Sequence, residues 1–459
     1  MADLSNLDLI FVFAYFIVLI LIGYFSSRKQ KEEDYLIAER KLGTLSTMMT
    51  LNASKTGSIL MLFVAMVYLW GISALWYFIG AATGLMIFVP FALKLKEESK
   101  TKYYTLADYF RYNYGETIAL IASFITIFIM FGFLVINLIA GTKIFVFFTG
   151  WPFWICAGIM IVVVLSYILM AGFKAVVKTD VLQYIAIIII LAFLAFILFD
   201  GSLIPASEWN FFNAELSTII GFFMIGLLMP FASPEIWQRV YSSKGKKELR
   251  NGMILSVIIY TCVAFLLALV ALTVKIQFPD LDPDLALIYG FANLLPGGLL
   301  GLSVILLFAA IMSTIDTYIF AGSSAIVQDF FNYNRKKTVS YIKKTIFLFT
   351  VLAAIVAVLI QDLVIGGYIF VSIVVVLAIC VLATWIKKNI KQRTLLFELV
   401  IGVIGLMTYM IISLSKGQIQ PTIVIVALGS SIIGLIIGGI VSYLKDNFWV
   451  KRSDKIERR

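Results

Sequence analysis

The chain of 459 residues contains no histidine, three cysteines, nine prolines, and charged residues at only 14%. Without histidine, the commonest proton shuttle and metal ligand is missing, so any proton chemistry must use carboxylates or lysine. Cys156, Cys262 and Cys380 all fall inside apolar stretches, which excludes a disulfide framework and a metal cluster. No zinc motif occurs and no apolar stretch holds paired acids. An intramembrane hydrolase is therefore disfavoured, and the reading is of a protein that is not an enzyme. The scarcity of charge leaves 62% apolar residues and a mean hydropathy of +1.02, so nearly the whole length reads as membrane.

Runs of about 20 apolar residues are long enough to cross a hydrocarbon core ~30 Å thick. Thirteen are found, at 8–27, 43–70, 72–95, 117–148, 152–170, 179–199, 217–241, 252–277, 297–328, 339–361, 364–386, 394–414 and 421–444. They are numbered spans 1 to 13. All but four of the 36 Lys and Arg lie on alternate connections, those after spans 1, 3, 5, 7, 9, 11 and 13. Because cytoplasmic loops retain Lys and Arg, this places the N-terminus outside and the C-terminus in the cytoplasm of a cell (plasma) membrane protein. The exceptions are Lys55, Lys143, Lys275 and Lys416. The net charge of +10 follows from this asymmetry and points to anionic lipid as neighbour, not nucleic acid. Span 1 is preceded by Asp3 and Asp8 and followed by no cleavage site, so it reads as a retained helix, not a signal peptide. The tail after span 13 is about fifteen residues, which leaves a single membrane domain.

Two spans carry interruptions. Span 2 reads Asn52-Ala53-Ser54-Lys55-Thr56-Gly57-Ser58 at mid-depth, and span 7 holds Gly226, Pro230, Ser233 and Pro234. Either alone would be a kink or a close helix crossing. As a pair they run in opposite directions and lie five spans apart, which marks an inverted repeat with a substrate region at the breaks, around Gly57, Ser58, Gly226 and Pro230. Gly434 and Gly438 in span 13 read as a close helix crossing only.

Lys55 is twelve residues into span 2, roughly 18 Å deep at ~1.5 Å per residue, too far for easy snorkelling. A Lys there costs ~2.5–3.5 kcal/mol on insertion scales and must face a cavity or a partner. A structural ion pair is the plain reading, with Asp180 near the inner end of span 6 as one available acid. In span 9, Ser313 and Thr314 lie at mid-depth beside Asp316. Adjacent hydroxyls usually bond back to their own helix, yet hydroxyl and carbonyl oxygens are also hard ligands for a small cation.

Several stretches carry a resemblance. Ala309-Ala310-Ile311-Met312-Ser313-Thr314 is similar to the span-9 motif of the sodium/solute symporter family, which includes bacterial proline and sugar symporters. Gly172-Phe173-Lys174 through Thr179-Asp180-Val181-Leu182-Gln183 resembles that family's entry to its sixth helix. Glu33-Asp34-Tyr35 through Leu42-Gly43 resembles its first cytoplasmic loop, Thr105-Leu106-Ala107-Asp108-Tyr109-Phe110 the loop after span 3, and Trp237-Gln238-Arg239 the exit of span 7. The resemblance implies an all-α polytopic membrane protein of about 13 helices with a five-plus-five inverted-repeat, LeuT-like core. The first repeat is then 43–199 and the second 217–386, with 8–27 an extra first helix and 394–444 two extra helices. It implies a secondary transporter that moves a small organic solute, anionic or zwitterionic, by cation-coupled symport, with no cofactor beyond Na+ as coupling ion. By matching positions, the Na+ ligands are the carbonyls of Ala53, Thr56 and Ala310 and the hydroxyls of Ser313 and Thr314, with Asp180 assisting from below.

One position departs. The family commonly has Asn, Ser or Asp where this chain has Lys55. At ~5 Å and an effective dielectric near 20, an ammonium repels a sodium ion by roughly 3 kcal/mol. An alternative is therefore a sodium-independent proton-coupled or exchange carrier, with Lys55 in place of the coupling ion. A transporter-like membrane sensor is a reading from a different class, with no output domain to support it.

Overall fold

Each apolar stretch coincides with a helix or part of one in the structure, a computed structural model that describes residues 6–27, 40–99, 103–198, 204–296, 299–331, 335–387, 389–416 and 422–457. Span 1 is α1 (Asn6–Ser27). Span 2 divides into α2 (Thr44–Thr56) and α3 (Ile59–Trp70), and span 3 is α4 (Trp76–Ser99). A short helix, α5 (Leu106–Tyr114), leads into α6 (Glu116–Thr149), which is span 4. Spans 5 and 6 share the range α7 (Phe153–Leu198), which is two helices meeting at a kink where Gly172 is non-helical at φ 58, ψ −172. Lys174 and Lys178, expected on the connection between them, lie in the first turns of the second helix. Span 7 is α8 (Leu216–Ala232) and α9 (Pro234–Ser242), bent by 44°. Then come α10 (Lys246–Gln277), α11 (Ala286–Leu294), α12 (Leu300–Phe330), α13 (Arg335–Ile360), α14 (Leu363–Ile386), α15 (Gln392–Ser415) and α16 (Ile423–Glu457). Among the described residues, nine helices are long and apolar enough to cross a membrane, ten with the bent pair. The chain is a multi-pass membrane protein.

The helices sort by burial. The most apolar stretch of α12 is 89% buried, whereas those of α15 and α16 are 28% and 33%. Span 9 is the centre of the bundle and spans 12 and 13 are its rim. Phe196, Leu359 and Ile386 point outward as lipid-facing side chains do. Spans 12 and 13 pack on each other where Gly434 and Gly438 leave room for the backbone of Glu398 and Thr394, the close crossing expected there.

A second close crossing joins α4 to α8. A Cβ on Gly80 or Gly84 would run into the carbonyls of Phe223 and Leu227, and one on Gly226 into that of Tyr77. Gly226 therefore serves helix packing and not the break. Pro230 remains inside α8. The chain opens three residues later, at the extended Ser233. Pro234 follows at the first position of α9, where its missing N–H costs nothing.

Where span 2 begins and span 7 finishes, the two are tied by backbone: Leu42 N donates to Ser242 O at 3.0 Å and Lys244 N to Leu42 O at 2.9 Å. Thr105 and Asp108 form a capping box at the start of α5. Thr105 also donates to Asp329 at the end of α12, to which Ser123 on α6 donates as well. These bonds close one end of the bundle. The loop motif from Glu33 to Glu39 lies outside the described residues, as do Asp200 and the basic residues Arg28, Lys29, Lys31, Lys100, Lys102, Lys388, Arg458 and Arg459.

Candidate ion and solute site

Breaking a buried helix frees backbone groups that a membrane interior cannot hydrate, so side chains must take them up. At the span 2 break, Gly57 N donates to Thr314 Oγ1 at 2.9 Å and Ser58 N to Asn137 Oδ1 at 2.7 Å. The freed carbonyls of α2 are met from α12: Ser313 and Thr314 hydroxyls donate to Ala53 O at 3.2 and 3.1 Å, and Tyr318 to Ser54 O at 3.2 Å. The same two hydroxyls also reach Ala310 O, at 2.8 and 3.0 Å. Gly57 is glycine because a Cβ would collide with Asn137 Oδ1 and with Thr314.

Four positions expected to bear ligands, Ala53, Ala310, Ser313 and Thr314, therefore bring their oxygens into one cluster. It sits at the C-terminal end of α2, where the helix dipole favours a cation. The fifth, Thr56, is buried beside them, its hydroxyl donating to Asn52 O at 2.5 Å.

Asp180 does something else. It forms a fully buried ion pair with Arg239 at 3.0 Å and accepts a hydrogen bond from Thr50. The guanidinium is further held by Thr50 O at 3.0 Å, Glu235 O at 3.1 Å and Thr317 Oγ1 at 2.9 Å, and lies 5.7 Å from the Phe173 ring. Spans 2, 6, 7 and 9 are thus tied through one arginine. Trp237, the neighbouring aromatic of that motif, donates to Phe231 O at 3.0 Å and takes up a carbonyl freed at the span 7 break.

Lys55 does not pair with Asp180. Its ammonium lies 5.8 Å from the centre of the Tyr260 ring on α10, a cation–π geometry, and its principal attractive charge is Glu235 on α9. It hydrogen-bonds to none of the clustered oxygens of Ala53, Ala310, Ser313 or Thr314. The expectation that Lys55 takes the place of the coupling ion is thus not favoured by this geometry: its ammonium lies over the Tyr260 ring of span 8, apart from the clustered oxygens. Glu235 is itself completely buried, and neither carboxylate oxygen has a hydrogen-bond partner. The two broken spans thus carry opposite charges at their breaks.

Beside the oxygen cluster is a cavity of about 70 Å³, several times the ~10–15 Å³ that one water needs. Lys55, Gly57, Ser58 and Thr314 line it at the break, with Asn137, Tyr318 and Tyr368 on the surrounding helices. Of the four residues expected around the substrate, Gly57 and Ser58 line the cavity. Gly226 and Pro230 do not; Phe222, Ile225 and Met229 of the same helix do. Asn137 and Glu235 were legible in the sequence only as a polar residue in mid-span and an acid inside an apolar run. Tyr260, Tyr318 and Thr317 had no signal.

A sequence model of the sodium:solute symporter family matches residues 35–203 and 210–386. The osmoregulated proline transporter OpuE of Bacillus subtilis is 26% identical over 350 residues, which cover 70% of this chain and 71% of that protein. A sodium/proline symporter of Staphylococcus aureus is 27% identical over 363 residues, covering 71% and 68%. Among solved structures, a Na+-coupled sialic acid symporter in a substrate-bound outward-open state shares the fold, with a TM-score of 0.77 and 18% identity over 95% of this chain and 98% of that one. Mhp1, a transporter of the nucleobase-cation-symport-1 family, follows with a TM-score of 0.58 and 12% identity, over 88% and 92%. These matches do not favour the sodium-independent alternative. With its broken-helix fold and family match, the chain belongs to the sodium:solute symporter family and is a cation-coupled secondary transporter.

Proposed function

We propose that this protein couples the movement of one Na+ to that of a small organic solute held between the breaks of spans 2 and 7. The cation is held by the carbonyls of Ala53, Thr56 and Ala310 and the hydroxyls of Ser313 and Thr314, whose protons turn away when the ion enters. The solute occupies the cavity lined by Lys55, Gly57 and Ser58. The observation that carries this reading is the double position of Thr314, which belongs to the oxygen cluster and also lines the cavity. An ion that reorients this hydroxyl alters the wall of the solute site, which is the differential contact that coupling requires.

Alternating access follows from rocking of residues 43–199 against 217–386. The backbone bridge of Leu42 with Ser242 and Lys244 and the Asp329 bonds close the end that the basic residues assign to the cytoplasm. From Gly57 the cavity wall continues toward Met66, Phe222 and Val364, which lie on the outer halves of their spans in that orientation. This arrangement admits solute from outside.

The test is solute uptake into proteoliposomes under separately imposed sodium and proton gradients. Accumulation driven by sodium alone is expected. Accumulation driven by protons alone and indifferent to sodium would refute the proposed ion.

A further inference from the structure

The cavity wall has an unusual inventory of free hydrogen-bonding groups. Asn137 is occupied on both sides, accepting from Ser58 N and donating to Phe133 O. Thr314 and Tyr318 donate to backbone carbonyls, and Tyr77 donates to the Met229 sulfur. Beyond a second N–H on Asn137 and the Ser58 hydroxyl, which makes no side-chain hydrogen bond, two side chains on this wall remain wholly unengaged in hydrogen bonding. The Lys55 ammonium makes no hydrogen bond, and the Tyr368 hydroxyl has no partner. Among the described residues, no Asp or Glu lines the cavity, and most of the wall is apolar, as at Ile59, Leu62, Ile225 and Val371.

An array of free donors with one positive charge and no acid complements a group that only accepts, namely a carboxylate. A zwitterion would leave its ammonium without an acidic partner in an apolar chamber, which is strongly unfavourable. A sugar would bring more hydroxyls than this mostly apolar wall has free polar groups to meet, and would leave the single positive charge without a counter-charge.

We propose that the solute is a monocarboxylate, its carboxylate anchored on the Lys55 ammonium within reach of the Tyr368 hydroxyl and its body against the apolar wall. Glu235 is the counter-ion of Lys55 while the chamber holds no solute. This deepens the function proposed above and rests on it. Glu235 is a positioning residue: it lies outside the lining and attracts the Lys55 ammonium. The cavity volume sets the size at short aliphatic or single-ring acids.

The test uses the full-length protein, purified and reconstituted, with three matched sets of probes: hexanoate, benzoate and phenylacetate; their primary amides; and the amino acids norleucine and phenylglycine. Binding is read from thermal stabilisation in sodium, and transport from sodium-driven uptake. At least one carboxylate is expected to stabilise the wild type and to be taken up, with its amide and the amino acids at least a hundredfold weaker. In Lys55→Gln the preference for carboxylate over amide should disappear while sodium alone still stabilises the protein. Because that variant strands Glu235, the double variant Lys55→Gln/Glu235→Gln is measured beside it and should fold and show the same loss. Lys55→Arg should retain the preference. Binding of none of the carboxylates, equal binding of amides or amino acids by the wild type, or a carboxylate preference that survives in the double variant would overturn the inference. Sodium-driven uptake of an amide or amino acid would overturn it alone, leaving symport intact. A carboxylate that binds but is never driven by sodium would instead overturn the symport reading.

Discussion

Substituting Gly57 by Ala adds one methyl group at the point where span 2 breaks, and its consequences follow from two hydrogen bonds. The new Cβ would overlap Asn137 Oδ1 and the Thr314 side chain. Those two groups accept from Ser58 N and Gly57 N, at 2.7 and 2.9 Å. Moving either acceptor strands a buried backbone donor, at a cost of about 1–3 kcal/mol each. Overpacking adds a comparable ~1–3 kcal/mol where neighbours yield only in part. With one donor stranded the expected loss is about 2–6 kcal/mol, a large fraction of the stability of a folded protein. The displaced Thr314 hydroxyl is also a proposed Na+ ligand, and loss of one bond to a charged partner is worth about 1.5–3 kcal/mol. Sodium affinity should fall ten- to a hundredfold. The assay is thermal unfolding of purified protein across a sodium titration, since a ligand of the folded state raises its midpoint with concentration. Gly439→Ala on α16 is the control, because its Cβ would meet nothing within 4 Å. There the same change should be neutral or add up to ~1 kcal/mol through helix propensity. Wild-type stability together with a wild-type sodium response in Gly57→Ala would refute this account of the break.

Changing both Ser313 and Thr314 to Ala should abolish sodium stimulation of uptake while the protein still folds; unchanged sodium dependence would make the hydroxyls purely structural. Arg239→Met leaves Asp180 buried without its partner and should cost about 3–5 kcal/mol, whereas the double variant Arg239→Met/Asp180→Leu should recover part of that in the same unfolding assay. Cysteines introduced at Trp209 and Asp282 should be labelled from outside and one at Lys246 only from inside, and labelling of position 246 from outside would reverse the orientation. One Na+ moving with one monocarboxylate carries no net charge, so uptake should ignore a potassium-diffusion potential imposed with valinomycin. Marked stimulation by an inside-negative potential would contradict that stoichiometry.

Span positions were legible because hydrocarbon thickness imposes a length that the sequence must match with about 20 apolar residues. The break in span 2 was legible because Asn52 through Ser58 interrupt such a run. The break in span 7 was displaced: Pro230 drew attention, yet the chain opens at Ser233. A proline inside a packed membrane helix is tolerated once neighbours take up the freed groups, so composition alone does not place the opening. The partner of Lys55 was hidden for a different reason. Distance along a helix gives depth, but only packing gives the direction in which a side chain leaves the axis. Asp180 and Glu235 both lie in apolar runs, and the choice between them rested on the turn by which α2 faces α9 and α10. Gly226 failed similarly, since a glycine at a break and a glycine at a crossing look alike in sequence, and here the Tyr77 carbonyl decides.

The placement of charge ties these observations together. A repulsion of roughly 3 kcal/mol between Lys55 and a sodium ion ~5 Å away assumes an ammonium with no compensating charge. The structure supplies one. Glu235 attracts the Lys55 ammonium, and Asp180 is paired with Arg239 at 3.0 Å. Neither Lys55 nor the Asp180–Arg239 pair hydrogen-bonds to the oxygens of Ala53, Ala310, Ser313 or Thr314. A cation arriving there adds a positive charge in a region where burying one is costly. An anionic solute in the adjoining cavity offsets that charge, and the cation does the same for the solute. Each ligand then lowers the cost of burying the other through Coulomb attraction across Thr314, which touches both the oxygen cluster and the cavity.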